Sequence, residues 1–183
     1  MEIVRYLGLD LGTTTGYAYK DIDLETQTVL KSGIGQIKMG KLPMPERWQL
    51  FFARVSSLME PATVVCYEQV RHHAGVRAAH VYGAFLALME LAAHETIVQR
   101  PLRFVPVNPT QLKKFATGKG TASKLHMIDA AHKYFPDMAR TLGIRSHDEA
   151  DALWILQWGL QDGRPTHREE DEASLGEPSP TGK

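Results

Sequence analysis

Along the first forty residues, apolar positions come in short β-branched and aromatic runs separated by polar turns. VRYLGLDL (4–11) closes on Gly12, a second run spans Gly16 to Lys20, and a third spans Val29 to Lys38. Runs of this length, with the polar DIDLETQ between the last two, predict three strands in an antiparallel meander. From Met44 to Met59 the period lengthens. Met44, Trp48, Leu50, Phe51, Val55, Leu58 and Met59 recur near 3.6 residues behind Pro43, which predicts an amphipathic helix that Pro61 stops. TVVCYEQV (63–70) predicts a fourth strand.

Between Ala74 and His94 the apolar residues Val81, Tyr82, Phe85, Leu86, Leu88, Met89 and Leu91 cover more than one helical face, with Ala84, Ala87 and Ala92 among them. Such a helix is expected to be buried on two sides, either between the sheet and another helix or at an interface between two copies of the chain. Phe104–Val107 predicts a fifth strand, and Asn108-Pro109 starts a short helix through Phe115. TGKGTA (117–122) is a loop, Ser123 caps a helix to Tyr134, and a last helix runs from His147 to Gln161. The order β-β-β-α-β-α-β-α-α-α predicts an α/β fold, a mixed sheet with helices on both faces.

The composition fits one domain: 183 residues, 43% hydrophobic, with 21 Lys+Arg against 21 Asp+Glu. The single cysteine, Cys66, excludes a disulfide framework and a multi-cysteine zinc site, which points to a reducing, cytoplasmic setting. No apolar run approaches the ~20 residues of a membrane span, and MEIVRYLGLD lacks the order of a signal peptide. A net charge of zero excludes a uniformly basic nucleic-acid binder, so any such role must rest on a local patch. Charge is uneven, however: residues 162–183 carry six acidic and three basic side chains, leaving residues 1–161 at +3. With one large aliphatic residue, three prolines and three glycines, 162–183 is expected to be a disordered acidic tail beside a folded domain at 1–161. It is either simply solvated or competes with DNA for a basic groove.

Four acids stand out. Asp10 lies inside an apolar strand, where a carboxylate is costly unless it is paired or coordinates a cation; capping the following turn is the alternative. Glu68 repeats the anomaly near the carboxyl end of another strand, where open α/β sheets build their sites. Asp148 and Asp151 project from one helical face, either serving the helix dipole or completing a site, while Glu149 points elsewhere. Together the four form an oxygen-rich set suited to hard divalent cations. Two such ions roughly 4 Å apart activate water and stabilise a phosphodiester leaving group, which is nuclease chemistry. His147 either supports Asp148 or caps the helix.

Four segments, GLDLGTTTGYA (8–18), YEQV (67–70), LKKFATGKGTASK (112–124) and DEADALWI (148–155), resemble the RuvC-type Holliday-junction resolvases of the ribonuclease H-like superfamily. The resemblance implies a ribonuclease H-like mixed five-stranded sheet, three strands antiparallel and two parallel, flanked by helices. It implies that Asp10, Glu68, Asp148 and Asp151 hold Mg²⁺ or Mn²⁺, two ions per site, and that Lys113 and Lys124 serve phosphate contact and catalysis. It also implies a homodimer that nicks four-way DNA junctions in pairs, leaving 5′-phosphate and 3′-hydroxyl ends. Where bacterial members commonly carry an aromatic after Glu-Gln-Val, this chain has Arg71, His72 and His73, a departure that fits looser, phage-type debranching. The DNA surface is expected to combine Arg71, His72, His73 and Arg77 with Lys114 and Lys119, and glycines 118 and 120 to let backbone amides approach phosphates, unless these lysines are merely solvated. Two rivals remain: a non-cleaving junction-binding module, and an actin- or sugar-kinase-like ATPase, whose first phosphate loop DLGTTTG also resembles.

Overall fold

Alternation along β1 (Ile3–Asp10) sends Val4 and Tyr6 to one side of the sheet and Leu7 and Leu9 to the other, all of them buried. A strand with two apolar faces belongs at the centre, and β1 lies there in the order β3-β2-β1-β4-β5. The computed structural model describes residues 2–71, 75–97 and 102–162. β1 pairs antiparallel with β2 (Thr14–Asp23), which pairs antiparallel with β3 (Thr28–Lys38). On its other edge β1 pairs parallel with β4 (Ala62–Glu68), and β4 with β5 (Arg103–Val107). This is the expected α/β mixed sheet of three antiparallel strands and two parallel pairings. α1 (Met44–Met59) and α2 (Val76–Ile97) supply the core of one face around Phe51, Phe85 and Met89. α3 (Pro109–Thr117), α4 (Lys124–Tyr134) and α6 (His147–Asp162) supply that of the other around Leu112, Met127 and Leu153. α5 (Pro136–Thr141) is a short link.

The structure corrects the expectations at several points. The polar DID segment is not a turn: Arg5 binds Asp21 through two hydrogen bonds of 2.5 and 2.7 Å across the β1–β2 ladder and lies 4.3 Å from the centre of the Tyr19 ring. That pairing carries β2 through Asp23 and confines the turn to residues 24–27. β4 stops at Glu68 rather than Val70, because the Tyr82 hydroxyl donates to the Glu68 carbonyl (2.7 Å) and accepts from Val70 N–H (3.2 Å), drawing the chain off the sheet. α5 went unanticipated, being too short for a periodic signal. Finally, of the two arrangements expected for α2, burial between the sheet and another helix is not the one seen: within one chain only one side is covered. Phe85, Met89, Ala92 and Ala93 face the core, whereas Val76 and Leu91 are 72% and 52% exposed. Within α2, Val76–His94 is also long and apolar enough to cross a membrane by length and composition alone, contrary to the expectation that no segment is. The tail expected from residue 162 lies outside the described residues, except for Asp162, which closes α6.

α6 approaches the sheet where side chains are missing. A methyl group on Gly8 would sit 2.5 Å from the Ala152 carbonyl oxygen and 2.6 Å from Leu156 N, and one on Gly16 would overlap the Asp148 carbonyl. Farther along, Gly159 sits against the Cys66 thiol. Gly8→Ala is therefore expected to push α6 outward and cost about 1–3 kcal/mol. Gly83, by contrast, has open space around its helical backbone, and Gly83→Ala is expected to stabilise by ~0.5–1 kcal/mol. Denaturant midpoints that fail to move in opposite directions would refute this packing.

Candidate functional site

β1 and β4 run parallel with Gly8 beside Cys66 and Leu9 beside Tyr67, so the next residues along, Asp10 and Glu68, end the two strands side by side. By strand alternation both face α6. The start of α6 is locked by a reciprocal cap. Glu149 Oε2 accepts from Arg145 N–H (2.7 Å), Ser146 N–H (3.0 Å) and the Ser146 hydroxyl (3.2 Å), while Glu149 N–H donates to Ser146 Oγ (3.2 Å). Glu149 thus points away from the other acids, as expected, and its role was readable in the S-x-x-E spacing of SHDE (146–149). The cap leaves Asp148 and Asp151 facing the strand ends.

α3 starts at an Asn108 cap and brings Lys113; α4 starts at a Ser123 cap and brings Lys124. Asp10, Glu68, Asp148, Asp151, Lys113 and Lys124 all line one open cleft of about 470 Å³. Six residues from five elements therefore converge on one concave surface. His147, also in the cleft, does not cap α6, because Ser146 and Glu149 do. Its Nε2 lies 2.9 Å from Lys124 Nζ and 3.0 Å from Asp148 Oδ1. A neutral ring can accept from the lysine or donate to the carboxylate through that nitrogen, so the tautomer decides which contact is a hydrogen bond.

Burial raises the proton affinity of these acids, and at Asp10 and Asp151 neighbouring carboxylates add to it. Burial, reinforced by the charges of Glu68, Asp151 and Asp148, holds the Asp10 carboxyl well above the usual range, with Lys124 opposing. Burial also raises Glu68 against the pull of Lys113. Asp151 is pushed up to about 6, first by burial and then by Glu68. Such crowding is unfavourable without cations, and an all-oxygen donor set is what Mg²⁺ or Mn²⁺ takes. Among the described residues, however, no three acid or histidine side chains stand close enough to enclose an ion. Asp148 is contacted by His147 and by Gln36, whose Nε2 donates to Asp148 Oδ2 (2.8 Å). Gln36 was not anticipated; its only sequence signal is a polar residue on a half-buried strand.

The other expected contacts disperse. Lys114 and Lys119 line a neighbouring cleft between α3 and α4, with Lys133 and Tyr134. Arg77 lines a third cleft with Arg47, which meets the acidic one at Leu11–Thr13. Arg71 is exposed, its guanidinium 3.3 Å from Gln69 Oε1, and His72 and His73 lie outside the described residues. Three amides of the glycine loop are taken up within it or by the end of α3. Gly118 (φ 79°) is the left-handed cap of α3 and donates to Lys114 O (2.8 Å), Lys119 N–H donates to Thr117 Oγ1 (3.2 Å), and Ala122 N–H to Lys119 O (3.2 Å). Gly120 is needed because a methyl group there would sit 2.8 Å from Thr110 Cγ2.

Carboxylates whose folded proton affinity exceeds the unfolded one favour folding at low pH. That contribution is lost as pH rises from the unfolded value near 4 through the folded one, about 6 for Asp151 and higher than the usual range for Asp10. In EDTA the melting temperature is therefore expected to fall between pH 4.5 and 7.5. Asp10→Asn, which removes a carboxylate raised well above the usual range, should flatten that slope and raise the pH 7.5 melting temperature by roughly 5 °C. An unchanged slope would contradict the crowding.

Neither a protein-family model nor a curated protein matches the chain. Solved structures do. Thermus thermophilus RuvC superposes with a TM-score of 0.63 at 20% identity, covering 87% of this chain and 97% of that one. The yeast mitochondrial Holliday junction resolvase Ydc2 gives 0.52 at 16%, covering 85% and 80%, and the fowlpox virus resolvase, solved with substrate Holliday junction DNA, gives 0.50 at 14%, covering 87% and 97%. By its sheet order and these superpositions, the chain has the ribonuclease H-like α/β fold of RuvC and other Holliday junction resolvases.

Proposed function

We propose that this protein is a divalent-cation-dependent endonuclease that nicks branched DNA, with the four-way junction as its principal substrate. The observation that carries the reading is the convergence of four carboxylates and two lysines from separate elements in one open cleft at the strand ends. Asp10, Glu68, Asp148 and Asp151 would hold two Mg²⁺ or Mn²⁺ ions. Cations bound there would supply activation of water and charge neutralisation at the scissile phosphate. A non-cleaving binder gains nothing from buried carboxylates facing a polyanion.

The chain's own groups have defined tasks in this reading. Lys113 and Lys124 bring positive charge to an otherwise acidic cleft, so they hold the phosphate there and stabilise the charge that builds as water adds to phosphorus. The bond from phosphorus to O3′ breaks, O3′ takes up a proton, and the ends are a 5′-phosphate and a 3′-hydroxyl. Arg71, His72, His73 and Arg77 would engage DNA beyond the scissile strand, and Lys114 and Lys119 would do so from the adjacent cleft. With Arg71 at the position where an aromatic would stack on a base, cleavage should extend to three-way and flap substrates. Paired nicks need two sites, and the exposed apolar side of α2, bearing Leu91, is the surface we assign to a homodimer contact. The buried, free Cys66 suits a cytoplasmic protein.

Nicking of a labelled immobile four-way junction in Mg²⁺ or Mn²⁺ tests this directly. Asp10→Asn is expected to lower the rate by ~10³-fold or more while junction binding stays intact, and Lys113→Ala or Lys124→Ala by ~10²-fold each. Retained nicking in Asp10→Asn, or nicking by wild type in EDTA, would refute the assignment.

A further inference from the structure

Gln36 sits on β3 directly opposite Gly16, and the main chain of Asp148 occupies the space that a side chain at Gly16 would fill. Paired residues share a face, so the Gln36 side chain crosses that gap to the first turn of α6. Its amide nitrogen lies 2.7 Å from Ser146 Oγ and 2.8 Å from Asp148 Oδ2, one hydrogen for each. The Ser146 hydroxyl donates to Glu149 and can accept from both Gln36 and Glu149 N–H, so the network is complete at that oxygen. Gln36 itself lines the groove on the far side with Lys38 and Arg54 and does not line the acidic cleft.

Resting on the nuclease reading above, we propose that Gln36 is a positioning residue that fixes the orientation of the Asp148 carboxylate and thereby sets how tightly the cleft takes a divalent cation. Asp148 needs such a partner because its neighbours Asp10 and Asp151 repel it, and a charged partner would cancel the negative charge a cation requires. A neutral amide orients the carboxylate without neutralising it. Its other hydrogen goes to Ser146, so the same side chain also steadies the cap of α6. Groups that orient cation-binding carboxylates in this way typically alter metal affinity ~10–100-fold when removed.

The test compares wild type, Gln36→Met, which keeps the length and loses both donors, and Ser146→Ala, which loses the anchor and leaves the Asp148 bond. Two readouts are followed against Mn²⁺ concentration: the rise in melting temperature without DNA, and junction nicking. Gln36→Met should raise the half-saturating Mn²⁺ about tenfold in both, with nicking at saturating Mn²⁺ within about threefold of wild type and KM for the junction unchanged. Ser146→Ala should lower the metal-free melting temperature yet leave the Mn²⁺ midpoint near wild type. Gln36→Ala, read in the same way, serves if the methionine variant does not fold. A lower melting temperature with an unchanged Mn²⁺ midpoint in the Gln36 variants would reduce Gln36 to a structural contact and overturn the proposal alone. A wild-type protein that neither gains stability with Mn²⁺ nor nicks the junction would overturn the nuclease reading and this proposal together.

Discussion

The contact between α6 and the sheet is the constraint on which the rest depends. A helix packed on a sheet through ordinary side chains stands well off the strands, yet here the Ala152 and Asp148 carbonyls occupy the space above Gly8 and Gly16. Residues buried along α6, among them Ala150, Ala152, Leu153 and Leu156, hold it there by apolar contact. Because Gly8 lies two residues before Asp10 on β1, the approach that makes the core also sets Asp148 and Asp151 over the strand ends. Packing and site geometry are one feature of this molecule.

That arrangement works against the stability of the metal-free protein. Burial raises the proton affinity of Asp10, Glu68 and Asp151, and neighbouring carboxylates, Glu68 first, add to it at Asp10 and Asp151. Lys113 and Lys124 offset part of it, and His147 and Gln36 each contact the Asp148 carboxylate. Acids kept together at such a cost are the signature of a site rather than of a fold. The surrounding clefts extend the same logic outward, with arginine on one flank and lysine on the other, so the basic character missing from the overall charge is local.

Much of this was legible in the residues, and the limits have physical causes. α1 matched its predicted bounds and β4 its predicted start to within a residue, because a sixteen-residue amphipathic period and a β-branched run depend little on what surrounds them. Asp10, Glu68 and the Asp148/Asp151 pair announced themselves as acids where acids are costly. The extent of β2 was hidden because it hangs on Arg5, sixteen residues before Asp21, and a polar strand held by an ion pair looks like a turn. α2 has enough apolar residues for two buried sides, but the chain folds with only one covered. Gly118 and Gly120 suggested phosphate-facing amides; the same residues are equally needed to cap a helix and to pass Thr110, and only three-dimensional context separates those uses. Lys113 and Lys124 carried no signal of their own beyond the resemblance, and Gln36 none at all, since its partners lie 110 and 112 residues away.

The central claim is that the crowded carboxylates exist to hold divalent cations, and counting bound ions tests it most directly. Mn²⁺ titrated into metal-free protein at pH 7.5 and followed by electron paramagnetic resonance should show saturable loss of the free-ion signal, with a stoichiometry of one to two ions per chain. In Asp10→Asn that loss should be weakened or abolished. A free-ion signal that rises in proportion to added Mn²⁺ into the millimolar range, with the protein folded throughout, would contradict the account.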